Sequence, residues 1–245
     1  MHTSLTFTGI IPARYESSRF PGKPMVELLG KPMFWHVYKR ATQCRLLKSV
    51  YLATDDNRIF NSAHENNVPV IMTSKAHKSG TDRVLEAAEI LSLPQDTIVV
   101  NIQGDEPALA PEMLDQLLYP FISDNRIKVC TLARKEQKNK VSHKNTVKVV
   151  FSQKMKALYF SRSIIPYSEN EQFCHVHIGA YAFKMKYLKL FSELKQSRLE
   201  IAESLEQLRL LEADIPITIA LTEHICQGVD TPEDIDKVLK LLSDD

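Results

Sequence analysis

Arg14, Arg19 and Lys23 stand on one short segment, Ile-Pro-Ala-Arg-Tyr-Glu-Ser-Ser-Arg-Phe-Pro-Gly-Lys-Pro at residues 11–24, with Glu16 as its single anion. Forked guanidinium donors and a point-charge ammonium suit phosphate oxygens, so the chemistry on offer is neutralisation of a polyphosphate by side chains. The usual glycine cradles are missing: no G-x-G-x-x-G occurs here, and Gly22-Lys23 runs into Pro24 rather than the Ser or Thr of a P-loop. A solvated basic turn is the plainer alternative, since runs of charge are commonly surface.

Asn101-Ile102-Gln103-Gly104-Asp105-Glu106-Pro107 closes an apolar run and turns at Gly104, which puts Asp105 at the carboxyl edge of a strand. A carboxylate there suits a hard cation, and magnesium takes one or two protein carboxylates completed by water and phosphate oxygens. As a plain turn residue, Asp105 would instead bond its own backbone. A second carboxylate, Asp230, precedes Thr231-Pro232-Glu233-Asp234. There Thr231 as N-cap and Asp234 at capping-box distance explain each other and leave Asp230 without a task. The two aspartates are 125 positions apart, so their meeting at one metal is a question for the fold.

His175-Val176-His177-Ile178-Gly179-Ala180-Tyr181 alternates with period two, which sets both histidines, Gly179 and Tyr181 on one strand face. His177 and Tyr181 are candidates to line a polar pocket; packed, hydrogen-bonded strand residues are the plainer reading, and no zinc-like spacing accompanies them. Leu199, Ala202, Leu205, Leu208 and Leu211 predict one helix over 199–213, with Glu206 and Gln207 beside its apolar stripe on a solvated face by default. Arg162 follows the strand-like Tyr159-Phe160-Ser161 and suits an acidic substrate or a surface ion pair equally, while Asp55-Asp56 reads as the cap of the next helix.

Alternating elements must position these residues. Apolar runs at 7–11, 50–54, 68–72, 97–102 and 128–133 read as strands. Helical periodicity begins after Pro32 (Met33, Phe34, Val37, Tyr38, Ala41), near Asn57, after the capping spacing Ser79 to Asp82, and at Pro111. Such alternation implies right-handed crossovers and a mainly parallel sheet. Residues 134–146 are polar and basic and are expected as a surface loop; 147–151, 157–161 and 177–183 then read as an antiparallel excursion, followed by helices near 186–195, 199–213 and 232–242. No repeat or Gly/Ser linker marks a boundary, so a single domain over 1–245 is expected.

The 31 Lys and Arg nearly cancel the 30 Asp and Glu, so no global field favours nucleic acid or an anionic membrane. The basic stretch at 134–144 also lacks the interleaved aromatics of a nucleic-acid surface. Met-His-Thr-Ser-Leu at the start has no signal-peptide character and no run approaches a membrane span, from which a cytoplasmic location is expected. Cys44, Cys130, Cys174 and Cys226, spaced 86, 44 and 52 residues apart, fit neither a metal motif nor a disulfide scaffold and are expected as free thiols. The absent glycine fingerprint argues against a dinucleotide-dependent oxidoreductase.

Taken in order, seven segments resemble the 3-deoxy-manno-octulosonate (Kdo) cytidylyltransferases over almost the whole chain. They are Ile-Pro-Ala-Arg-x-x-Ser-x-Arg-x-Pro-Gly-Lys at 11–23, Ala-Thr-Asp-Asp at 53–56, Ser-Gly-Thr-Asp-Arg at 79–83, Val-Asn-Ile-Gln-Gly-Asp-Glu-Pro at 100–107, Ala-Leu-Tyr-Phe-Ser-Arg at 157–162, Leu-Glu-Gln-Leu-Arg at 205–209 and Val-Asp-Thr-Pro-Glu-Asp at 229–234. The resemblance implies an α/β, Rossmann-like (GT-A-like) nucleotidyltransferase fold of three layers, with 1–133 serving mainly the nucleotide and 134–245 mainly the sugar acid and dimerisation. It implies magnesium-dependent transfer of CMP from CTP to Kdo, with release of pyrophosphate, for lipopolysaccharide assembly by a cytoplasmic homodimer.

By motif, Ala13, Arg14, Lys23, Ser79, Gly80, Arg83 and Gln103 would meet the nucleotide, Asp105 and Asp230 would hold magnesium, and Lys23, Arg14 and these two aspartates would form the catalytic set. Arg19, Gln103, Arg162, His177, Tyr181, Glu206 and Gln207 would surround the sugar acid and its approach to the nucleotide. The chain departs from the pattern at Ile201-Ala202-Glu203-Ser204, where many members carry a histidine, and at Asp214, often a glycine. Amino-substituted Kdo is therefore kept as an alternative acid. A sialic-type acid is more distant, because its activators carry a Gly-Ser-Lys-Gly type of first loop, and a CTP-binding module without turnover is the rival from another class.

Overall fold

The apolar run ahead of the basic loop forms β1 (Phe7–Ala13), buried along nearly its whole length. The structure, a computed structural model, describes residues 5–16, 20–77, 79–141, 146–170, 172–225 and 227–243. After the loop come a single 3-10 turn (Lys23–Met25), a small hairpin of β2 (Glu27–Leu28) and β3 (Lys31–Pro32) that periodicity did not announce, and α1 (Met33–Ala41). The expected alternation continues through β4 (Ser49–Thr54), α2 (Asn57–Glu65), β5 (Val70–Met72), α3 (Gly80–Ile90), β6 (Ile98–Asn101) and α4 (Pro111–Ser123). Then follow β7 (Val129–Gln137), β8 (Lys148–Phe151), β9 (Ala157–Ser161), β10 (Phe173–Lys184), α5 (Met185–Glu193), α6 (Arg198–Glu203), α7 (Leu208–Glu212), β11 (Ile217–Leu221) and α8 (Ile235–Ser243).

The chain divides into two compact units, Met1–Asp115 with Ile225–Asp245, and Gln116–His224. The division falls inside α4, and the carboxyl-terminal segment returns to the first unit. In that unit a parallel sheet runs β6-β1-β4-β5. Consecutive residues such as Ile10 and Ile11, Leu52 and Ala53, and Val99 and Val100 are all fully buried. Successive strand side chains point to opposite faces, so both faces of this sheet are covered, and uninterrupted apolar strands are the result. From α8, Val238 packs on Leu28, Met33 and Val229, with Ile235, Leu239 and Leu242 around them. Removing such a side chain costs the transfer term plus a cavity, about 2–5 kcal/mol for Leu or Met to Ala. That cluster fixes the segment carrying Asp230.

The second unit pairs β11 with β7 in parallel, then β7 with β10, β10 with β8, and β8 with β9 antiparallel. Two expectations are corrected here. First, β7 runs on through Gln137, where a loop was expected, because Arg134 to Gln137 pair with Phe173 to Val176 of β10. The polar side chains are served within that ribbon: Arg134 Nη1 meets Glu136 Oε2 at 2.7 Å, and Lys135 Nζ lies 4.5 Å over the Phe173 ring. Second, 199–213 is two helices, α6 and α7. Ser204 adopts a left-handed conformation (φ 53°), and the Glu203 and Ser204 carbonyls accept from Arg162 Nε and Nη2 at 2.9 and 3.2 Å. Those carbonyls are the acceptors a continuing helix would need. Glu206 and Gln207 consequently lie in the turn before α7, Glu206 exposed and Gln207 buried, rather than on a helix face.

No described helix is long and apolar enough to cross a membrane. Cys44, Cys130 and Cys174 are free and buried. Burial, with the Asp115 carboxylate beside it, pushes the Cys44 thiol up to about 12, which makes it unreactive as a nucleophile. Cys226 lies outside the described residues.

Candidate functional site

A cavity of about 230 Å³ opens in the first unit where β1 and β6 end, the edge at which parallel sheets take ligands. Ala13, Arg14, Lys23, Ser79, Gly80, Arg83 and Gln103, the seven residues expected on a nucleotide, all border it, and Asp105 joins them. Two local devices bring them there. Gly22 takes φ 74° and its N–H donates to Tyr15 O at 2.8 Å, so the loop folds back and hands Lys23 to the cavity. Ser79 caps α3, its Oγ accepting from Asp82 N at 3.1 Å, which turns a helix amino terminus toward the same space and favours an anion there.

Lys23 ties the distant segments together. Its ammonium donates to Asp105 Oδ2 and to Val229 O, each at 2.8 Å, and stands 4.0 Å from Asp230 Oδ1. Val229 N in turn donates to Asp105 O at 2.9 Å. The two aspartates therefore do converge, with their carboxylates on one cation. The Asp105 side chain is not spent on its own turn, which Glu106 N closes onto Gln103 O at 3.3 Å. Thr231 and Asp234 form the capping box that the sequence predicts. Among the described residues no group of three or more His, Cys, Asp or Glu gathers for a metal. Two carboxylates beside this cavity nevertheless fit magnesium, which completes its shell with water and phosphate oxygens.

Gly104 lets this turn lie flat on β1: a Cβ there would stand 2.7 Å from Pro12 O, a backbone atom that cannot yield cheaply. Gly104→Ala is expected to lose about 1–3 kcal/mol of stability by overpacking and to shift Asp105 off Lys23. A thermal melt and kcat measured together check this; unchanged values of both would contradict it.

Arg83 borders the cavity, but its guanidinium is committed, donating to Thr73 Oγ1 at 2.6 Å and Asp55 Oδ2 at 2.8 Å. The helix-cap expectation is thus corrected in part: Asp56 caps α2, accepting from Arg58 N at 2.9 Å, while Asp55 holds Arg83. Sequence reasoning missed His77, which also borders the cavity, with Nε2 2.5 Å from Glu86 Oε2. Enclosure acts upward on Glu86, but hydrogen bonds from Ser74 N and His77 hold its carboxyl below the usual value. The only signal was a histidine just ahead of a helix cap.

Within the second unit, Arg162 is built in by Glu203, another residue that sequence reasoning missed. Glu203 Oε2 accepts from Arg162 N at 2.9 Å, and Oε1 accepts from Ser161 Oγ at 2.6 Å and Tyr159 Oη at 3.4 Å. Enclosure raises the Glu203 pKa, yet these donors carry it below the ordinary value. Lys148, fully buried, donates to Thr146 O at 2.6 Å and to Arg162 O. Loss of hydration lowers its pKa. Arg162 is therefore aimed by both its backbone and its side chain and is no loose surface ion pair.

His177 and Tyr181 share one side of β10, their ring centroids 5.4 Å apart, and a bulge between Ile178 and Tyr181 re-aims the strand there. Thr131 Oγ1 donates to Ala180 O at 2.8 Å and lies 2.9 Å from His177 Nε2. If the hydroxyl proton goes to the carbonyl, the tautomer protonated at Nε2 is the one that bonds Thr131. Burial drives the His177 pKa down to about 3. Burial, followed by the Glu206 charge, raises Tyr181 well above its ordinary value, with the nearby Thr131 hydroxyl acting the other way. Unfolding would restore His177 to its ordinary 6.5, so between pH 6.5 and about 3 the unfolded chain binds a proton that the folded chain refuses. Its stability contribution is whole above pH 6.5 and falls on acidification by about 1.4 kcal/mol per pH unit. Urea midpoints across that range should show a shallower acid slope for His177→Gln; equal slopes would contradict the assignment. Arg19 lies outside the described residues.

Comparison with known proteins places these features. The family profile described as cytidylyltransferase matches residues 8–219. A 3-deoxy-manno-octulosonate cytidylyltransferase of Oleidesulfovibrio alaskensis is 51% identical, the match covering 98% of each chain. One from Lawsonia intracellularis is 50% identical over 97% of this chain and 94% of its own. Among solved structures, a CMP:2-keto-3-deoxy-manno-octonic acid synthetase complexed with CTP superposes with TM-score 0.92 at 40% identity, covering 98% of this chain and 99% of that one. A cytidylyltransferase from Leptospira borgpetersenii, 16% identical, shares the fold with TM-score 0.64 over 98% of this chain and 88% of its own.

Proposed function

This chain belongs to the 3-deoxy-manno-octulosonate cytidylyltransferase family, and from that premise we propose that it transfers CMP from CTP to the anomeric hydroxyl of Kdo, releasing pyrophosphate, for lipopolysaccharide assembly. The observation that carries the reading is the convergence of Lys23, Asp105 and Asp230 beside a cavity bordered by Arg14, Ser79 and Gln103. Both reactants are anions, so the barrier lies largely in bringing them together, and positioning with charge neutralisation supplies most of the catalysis. Arg14 and Lys23 neutralise the triphosphate, while Ser79 and the amino terminus of α3 receive its oxygens. Asp105 and Asp230 are the residues that would hold magnesium, which supplies Lewis-acid stabilisation of charge on the phosphate oxygens.

In the second unit, Arg162 holds the sugar carboxylate, its orientation set by Glu203. His177 offers a ring nitrogen as hydrogen-bond partner to a sugar hydroxyl, and Tyr181, Glu206 and Gln207 offer further polar partners. In the transfer the anomeric hydroxyl attacks the α-phosphorus and gives up its proton to solvent, the bond from that phosphorus to the bridging β-phosphate oxygen breaks, and pyrophosphate leaves with its charge met by the basic loop. Family resemblance also supports a homodimer working in the cytoplasm, which sedimentation at micromolar concentration and cell fractionation check. The substrate test is chromatography of the sugar nucleotide formed from CTP with Kdo, amino-substituted Kdo or a sialic acid. Kdo is expected to be used at least about tenfold faster than the others, and preference for another acid would overturn the sugar assignment.

A further inference from the structure

Lys23 touches the very groups assigned to the metal. Its ammonium has three donors, and two are committed at 2.8 Å, to Asp105 Oδ2 and to Val229 O, with Asp230 Oδ1 at 4.0 Å. The Val229 acceptor is rigid: its side chain is fully buried against α8, and its own N–H donates to Asp105 O at 2.9 Å. The resting place of the lysine is therefore built from main chain as well as side chain and is more than a loose surface ion pair. The Lys23 side chain is 15% exposed there, against 34% for Asp105 and 52% for Asp230. An ammonium and a divalent cation on the same two carboxylates repel each other strongly at such distances. Lys23 also borders the cavity, within reach of a triphosphate whose oxygens are competing acceptors.

We propose that Lys23 is a built-in counter-cation for Asp105 and Asp230, which keeps a divalent cation off the nucleotide-free enzyme and releases the carboxylates only when a triphosphate draws the ammonium away. The proposal rests on the metal reading above. It makes metal entry depend on nucleotide, and it guards two converging carboxylates against metal capture between turnovers.

The test is Mn²⁺ titration of the nucleotide-free protein, followed by electron paramagnetic resonance of the free aquo ion, with folding checked by circular dichroism. Wild type is expected to bind Mn²⁺ weakly, Lys23→Gln at least about tenfold more tightly, and Lys23→Arg, which keeps the charge, as weakly as wild type. Adding Asp105→Asn to Lys23→Gln should return binding to the weak level. Lys23→Met serves if the glutamine variant does not fold. If removing the lysine leaves affinity unchanged while Asp105→Asn lowers it, the counter-cation role is overturned and the metal site stands. If no variant binds Mn²⁺ in a carboxylate-dependent way, the metal reading falls and takes the proposal with it.

Discussion

Asp105→Asn is expected to lower kcat by at least about a thousandfold while the melting temperature moves by only a few degrees. The amide keeps an acceptor oxygen for the Lys23 ammonium now 2.8 Å away, so the turn at Gly104 and its tie to Val229 survive. What disappears is one of two carboxylate charges at the place where phosphate charge must be countered, and stabilisation of that kind is commonly worth several kcal/mol. Kinetics across a magnesium titration decide the matter. A rate near wild type would remove Asp105 from the metal site.

Arg162→Ala is expected to raise KM for Kdo about a hundredfold and leave KM for CTP within about twofold, because a forked guanidinium on a carboxylate is a strong, charge-assisted contact. Glu203→Gln should move the same parameter in the same direction by less. It retains the shape of the hub but weakens the hold on Ser161 Oγ and Arg162 N, now 2.6 and 2.9 Å from the carboxylate. A purely structural role for Glu203 would lower the melting temperature with both KM values unchanged. That split separates aiming Arg162 from merely bracing α6.

The first unit was legible in the sequence because a parallel sheet covered on both faces needs unbroken apolar runs, and 7–11, 50–54 and 97–102 are such runs. Local chemistry was legible too: the Ser79 cap of α3 and the Thr231 and Asp234 box depend on neighbours three residues apart. The basic loop, Asp105 at a strand edge and the His177 and Tyr181 face were visible for the same reason. What stayed hidden depends on the tertiary fold. Nothing in the spacing of Asp105 and Asp230 says that Lys23 stands between them, and no period marks Glu203 as the partner of Arg162. The break at Ser204 was invisible because helix periodicity persists through Leu205 and Leu208, while the acceptors are taken by a side chain some forty residues earlier. Likewise, β7 outran its apolar stretch because pairing with β10 supplied what the side chains of Arg134 to Gln137 did not.

Pyrophosphate release by the purified protein with magnesium decides between turnover and mere binding, with CTP, Kdo and metal omitted in turn and CTP replaced by ATP, GTP or UTP. Release is expected only when CTP, Kdo and the metal are all present, with one pyrophosphate formed per CMP-Kdo. Tight CTP binding without any release would contradict transferase activity and leave a nucleotide-binding protein in its place.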